Sequence, residues 1–155
     1  MACKKIFHID KFNYFILFDE FSFALLGPSG CGKTSLIRTI VGRLHPVANH
    51  DGKCGNISVL GKHPHAFGRL VGFMPQEIAL HSTNTMDEEI FFYGRLANMS
   101  SENIEQRCQF LINLLELTNR QKKIHKLSGG QQRRVSFAIA LLHQPKLLIL
   151  GSLNS

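Results

Sequence analysis

The stretch Gly27-Pro28-Ser29-Gly30-Cys31-Gly32-Lys33-Thr34 constrains this chain more than any other. It fits GxxxxGK[ST], in which glycines let the backbone curl so that successive N–H groups face inward onto anionic oxygens. Phe21 to Leu26, apolar and partly alternating, reads as a strand that runs straight into these glycines. Thr34 to Val41 carries apolar residues at 36, 37, 40 and 41, which is helical spacing. Strand, loop and helix in that order make half of a βαβ unit. The helix adds its N-terminal partial positive charge to the loop. Lys33 is a cation long enough to span two phosphates, and the Thr34 hydroxyl is a small oxygen ligand suited to Mg2+. A glycine-rich turn with a chance Lys-Thr is the bland reading, and the flanking strand and helix argue against it. The motif implies nucleotide binding by Gly27, Pro28, Ser29, Gly30, Cys31, Gly32, Lys33, Thr34 and Ser35. Cys31 supports two readings: a thiol made reactive by the helix terminus, or a small residue filling a small space.

Elsewhere the chain alternates turn signals with short periodic segments. Gly42, Pro46, Gly52, Gly55, Gly61, Pro64 and Gly68 mark turns around short strands such as Asn56–Leu60. Residues 70–74 read as another strand, ended by Pro75. The pattern turns helical from Thr85. Ser101 is the expected N-cap of a helix with apolar residues at 104, 108, 111, 112 and 115. A further helix starts near Ser128, with Val135, Ala138, Ile139 and Leu142 on one face, and Pro145 stops it. Residues 146–150 (KLLIL) form a continuous apolar run, as in a strand buried on both faces.

Composition narrows the class. The 155 residues are 44% hydrophobic and 19% charged, a globular balance. A net charge of +7 admits nucleic acid, an anionic surface or a phosphate ligand, but the basic residues are scattered in pairs such as Lys122–Lys123, the habit of a solvated face. Cys3, Cys31, Cys54 and Cys108 form no CxxC pair, which suits a reducing compartment. His63 and His65 lack a second ligand pair at zinc spacing. His8, Asp10, Lys11 and Asn13 interrupt the N-terminal apolar run, and no small-residue cleavage site follows. No segment has the roughly 18 uninterrupted apolar residues of a membrane span.

A second motif sets the family. Leu127-Ser128-Gly129-Gly130-Gln131 resembles in full the LSGGQ signature of ABC transporter ATPases, and Ser128 follows Thr34 by 94 residues, room for an inserted helical subdomain. Between them Gly72-Phe73-Met74-Pro75-Gln76-Glu77 resembles the Q-loop of that family. The resemblance covers residues 24–150, and its wording is most similar to the G and H half-transporter subfamilies. It implies an α/β fold: a P-loop NTPase (RecA-like) parallel sheet core, an N-terminal antiparallel β part and an inserted helical subdomain, C-terminally incomplete. Residues 1–80 would be the β-rich phosphate-loop part, 81–127 the helical subdomain, and 128–155 the signature helix with the Walker B strand. It also implies ATP and Mg2+ as ligands, with Thr34 and Gln76 near the metal. Two such domains would meet head to tail, the signature residues 127–131 of one facing the ATP on the other. A transmembrane domain would complete the transporter and hold the chain at the cytoplasmic face of a membrane, with no nucleic acid expected. For Ser128 a plain N-cap is the alternative, and for Gln76 an ordinary loop amide. Phe91, Phe92 and Tyr93 lie where the family contacts its membrane domain, and core packing is the equal alternative.

The sequence departs from the family at both ends. After Leu150 the family pattern continues Asp-Glu-Pro-Thr, the Asp serving Mg2+ and the Glu the attacking water. Here those positions hold Gly151 and Ser152. Neither side chain carries charge or takes a proton, so slow hydrolysis is expected. The downstream D-loop and switch histidine have no counterpart, which leads to the expectation of a truncated, alternatively spliced or misassembled frame. The adenine-stacking aromatic has candidates in Phe7, Phe12 and Tyr14. Three functions follow as expectations: the ATP-driven engine of a transporter, a non-hydrolysing regulatory module, or a soluble ABC-type ATPase acting on nucleic acid or ribosomes.

Overall fold

A computed structural model describes residues 12–18, 21–28, 30–44 and 70–151. The expected strand at 56–60, the histidine pair, Phe7, Ser29 and Ser152 lie outside the described residues. Two strands open the fold, β1 (Phe12–Phe18) and β2 (Phe21–Leu26), followed by helix α1 (Lys33–Ile40) and strand β3 (Val71–Met74). Helices α2 (Met86–Leu96), α3 (Ser101–Leu114) and α4 (Gly129–Leu142) come next, then strand β4 (Leu147–Gly151).

The four strands form one sheet in the order β2-β1-β4-β3. β1 is antiparallel to both its neighbours, and β3 is parallel to β4. β2, β3 and β4 therefore run in one direction, and the antiparallel N-terminal part is a strand threaded between two of them. Their carboxyl ends share an edge: Tyr14 pairs with Leu25 on one side and Gly151 on the other, and Leu150 pairs with Met74. In open α/β sheets, ligands lodge outside that edge.

Both faces of β4 are covered, and its sequence says why. Leu147 and Ile149 point toward α1, where they pack with Ile37. Leu148 points the other way and packs with Ala140 of α4 and Met74. A strand buried on both sides has no solvent face to alternate with, hence the unbroken KLLIL run.

The helical part has its own core. Met86 and Ile90 of α2, Ile104, Cys108 and Leu111 of α3, and Val135, Ala138 and Leu142 of α4 form one cluster. Its helices start at strong caps. Thr85 Oγ1 accepts from Glu88 N at 3.2 Å, and Glu88 Oε2 accepts from Thr85 N at 2.7 Å. For α3 the cap is Ser100, not Ser101: its Oγ accepts from Asn103 N at 3.3 Å. The loop between β3 and α2 is fastened to this body by Glu89, a carboxylate with no exposed surface. Glu89 accepts from His81 N at 2.9 Å and Asn84 Nδ2 at 2.9 Å, and its Oε1 lies 3.0 Å from His81 Nδ1. No described helix is long and apolar enough to cross a membrane.

Candidate nucleotide-binding site

The phosphate loop leaves β2 at the carboxyl edge of the sheet and turns directly into α1. Gly30 and Gly32 have φ of 82° and 92°, left-handed values that side chains rarely adopt. Among the described residues, chain neighbours aside, nothing lies within 4 Å of where a Cβ would stand at either position. Gly32 is also the N-cap of α1. As a glycine it brings no capping side chain, and no acidic residue stands in the first turn, whereas α2 and α4 both begin with capping boxes. An α-helix leaves its first N–H groups without intrahelical partners, and such an end is suited to anionic acceptors.

Lys33 folds back across this loop. Its ammonium donates to Gly27 O at 2.6 Å and Pro28 O at 2.5 Å, and lies 3.4 Å from Cys31 Sγ. The residue is only 8% exposed. The cation is therefore held over the cup by carbonyl dipoles, which incoming phosphate oxygens can replace as stronger acceptors. Thr34 and Ser35 are exposed on the first turn of α1, and Cys31 is exposed on the loop.

Beside the loop lies a cavity of about 500 Å³ that sequence reasoning did not foresee. Thr34, Arg38 and Arg43 line it from one side, Pro75, Gln76, Glu77 and Tyr93 from the other. Thr34 and Arg38 are four apart on α1 and so share a face, a spacing that was legible in the sequence. The structure thus brings Gln76 and Thr34 onto one cavity. Tyr93 donates from its hydroxyl to Ala79 O at 3.2 Å, and burial pushes its phenol pKa up. Phe91 packs against the helical core, while Phe92 is 43% exposed.

Gly151 ends β4 at the same edge. An ideal Cβ built there would fall on the Gln76 amide nitrogen, with Gln76 Cα and Pro75 C both at 2.8 Å. The turn after β3 thus lies backbone against backbone on the tip of β4, a contact open only to glycine. Phe12 and Tyr14, candidates for stacking on a base, lie in β1.

The signature residues stand at the head of α4. Leu127 is buried, and Ser128 is the N-cap. Ser128 Oγ accepts from Gln131 N at 3.2 Å, and Gln131 Oε1 accepts from Ser128 N at 3.1 Å, so both partners of a capping box are present. Gln132 Nε2 donates to Ile124 O and Leu127 O, both at 3.1 Å, pinning the preceding turn. Gly129 and Gly130 are exposed with nothing within 4 Å of a would-be Cβ. The capped Ser128 hydroxyl still has a proton to donate. The plain N-cap reading and an outward-facing contact are thus compatible at this residue.

A glycine loop between a strand and the start of a helix, at the carboxyl edge of a three-layer α/β body, defines a P-loop nucleotide-binding fold. A family model described as "ABC transporter" matches residues 16–151, and the chain belongs to that family. It is 42% identical over 131 residues to "ABC transporter G family member 20" of Dictyostelium discoideum, and 39% identical over 147 residues to "ABC transporter G family member 23" of the same organism. Those alignments cover 81% and 92% of this chain but 17% and 20% of the relatives, so the chain spans about a fifth of their length. A solved structure described as "Structure of ATP binding subunit of ABC transporter" superposes with a TM-score of 0.65 at 19% identity, covering 86% of this chain and 63% of that one. That likeness shows the fold. The G-family relatives agree with the subfamily wording of the motifs.

Proposed function

We propose that this chain is an ATP-binding part of an ABC transporter that holds ATP and hydrolyses it slowly. The observation that carries the reading is the left-handed turn of Gly30 and Gly32 into α1, with Lys33 held over it on the Gly27 and Pro28 carbonyls. The loop amides from Gly27 to Thr34 would take the phosphate oxygens, and Lys33 would exchange carbonyl for phosphate acceptors. Ser35 would add a hydroxyl on the same turn. Gln76 would approach the terminal phosphate from across the cavity it shares with Thr34.

Hydrolysis needs a group that takes a proton from water. Gly151 and Ser152 supply none where the family resemblance expects acidic side chains. Loss of a positioned general base costs on the order of 10²–10⁴-fold in rate. Gln76 can orient a water but cannot accept its proton. The non-hydrolysing module is the second reading, favoured by the same two residues, and it differs in whether any turnover supports transport.

Mg2+ is usual beside ATP in this family. At Thr34 and Gln76 it would meet a hydroxyl and a neutral amide, whereas Mg2+ is ordinarily held by one or two carboxylates together with the phosphates. Among the described residues no group of three or more His, Cys, Asp or Glu stands ready for a metal. Among the described residues the cavity instead carries two guanidiniums against the carboxylate of Glu77. The donors do not fit a protein-held metal.

In the whole transporter, a second nucleotide-binding domain would lie head to tail against the exposed end of α4, meeting Ser128, Gly129 and Gly130. A transmembrane domain would contact the α2 face around Phe92, keeping the chain at the cytoplasmic side of a membrane. The binding reading is tested by equilibrium binding of radiolabelled ATP to the folded chain and to Lys33→Ala. Saturable binding that drops at least tenfold in the variant supports it, and equal binding by both rejects it.

A further inference from the structure

We propose that this chain binds ATP without needing a divalent metal, with Arg38, Arg43 and Lys33 supplying the positive charge and Gly151 having removed the metal's place. The inference rests on the ATP-binding reading above and adds the chemistry of charge neutralisation at the same site.

Three observations converge. The first is the contact at the tip of β4. A Cβ at 151 would fall on Gln76 N, and 2.8 Å from Gln76 Cα. The space a metal-serving carboxylate would enter at this edge is filled by main chain, so the contact excludes an acidic side chain whatever its rotamer.

The second is the charge of the cavity. Among the described residues Arg38 and Arg43 both line it together with Thr34 and Gln76, against the one carboxylate of Glu77. Arg38 sits one helical turn beyond Thr34 on the same face of α1. Arg43 is held with its guanidinium 5.9 Å from the centre of the Phe73 ring, which fixes one face and leaves its N–H groups for acceptors. Guanidinium suits phosphate recognition because its forked donors match pairs of phosphate oxygens. A divalent cation entering here would meet two guanidiniums and only the Glu77 carboxylate to offset them.

The third is the position of Lys33, held near the loop by two carbonyls before any ligand arrives. A cation already in place reduces the reorganisation that binding requires. Fixed cations and loop amides together answer the polyphosphate charge that a metal otherwise shares.

The test is isothermal titration of the 155-residue chain with ATP, once in excess MgCl2 and once in excess EDTA, with circular dichroism to verify folding. The inference expects the two dissociation constants to agree within about threefold, a coupling well below one tenfold step. Weakening by tenfold or more on chelation overturns it while leaving ATP binding intact. No binding in either condition by a folded sample overturns the ATP-binding reading itself. Arg38→Gln/Arg43→Gln is expected to weaken ATP binding at least tenfold in EDTA, and unchanged binding would remove the arginines from the account.

Discussion

Replacing Glu89 by Gln should destabilise the fold by about 2 kcal/mol. The carboxylate has no exposed surface and takes N–H donors from His81 N and Asn84 Nδ2, with His81 Nδ1 alongside. Gln keeps the shape and one oxygen. Its NH2 then faces a donor, so one hydrogen bond to a charged acceptor is lost and two donors oppose each other. Such a bond is worth about 1.5–3 kcal/mol, with some relief because a buried amide costs less than a buried carboxylate. With a urea m-value of about 2 kcal/mol/M, the midpoint should fall by about 1 M. Far-UV circular dichroism during urea unfolding reads this directly. A shift below about 0.3 M would refute the view that Glu89 fastens the loop between Gln76 and α2.

Three other outcomes are expected. Arg120 bonds Glu105 at 2.5 and 2.7 Å and Asp87 at 2.5 Å, and its hydrogen bonds hold the Glu105 carboxyl below its ordinary value. A folded-state pKa lowered in this way contributes stability above the unfolded value of about 4.3, lost as pH falls through the folded value. Arg120→Gln should therefore flatten the acid end of a pH-stability curve measured by thermal unfolding. For the thiols, Cys31 is exposed, whereas Cys108 is fully buried and burial pushes its pKa up to about 11. Maleimide followed by peptide mass analysis should label Cys31 well before Cys108, and ATP should slow the labelling of Cys31. Ser128→Ala removes the capping box of α4 and should cost about 1 kcal/mol in urea unfolding.

Local chemistry was legible where it acts over a few residues. The strand entering the phosphate loop, the helix leaving it and the capped start at Ser128 stand where their residue patterns place them. The cap of α3 moved by one residue because Ser100 and Ser101 are chemically equal at an N-cap. The apolar period of the helix does not separate them. β4 runs on to Gly151, beyond its apolar run, because ladder pairing with Tyr14 does not require a side chain. What the sequence hid is tertiary. The insertion of β1 between β2 and β4 depends on a partner about 130 residues away. Glu89 stands in an acidic helix start, and only the folded loop at 81–84 makes it a buried anchor. The contact of Gly151 with Gln76 joins two turns that no periodicity links.

The most direct measurement is a 15N–1H correlation spectrum of the folded chain during ATP titration. The account predicts that the amides of Gly30, Gly32, Lys33 and Thr34 shift first and farthest, and that Lys33→Ala abolishes those shifts at the same ATP concentration. Shifts confined to other parts of the chain, or none in a folded sample at saturating ATP, would contradict it.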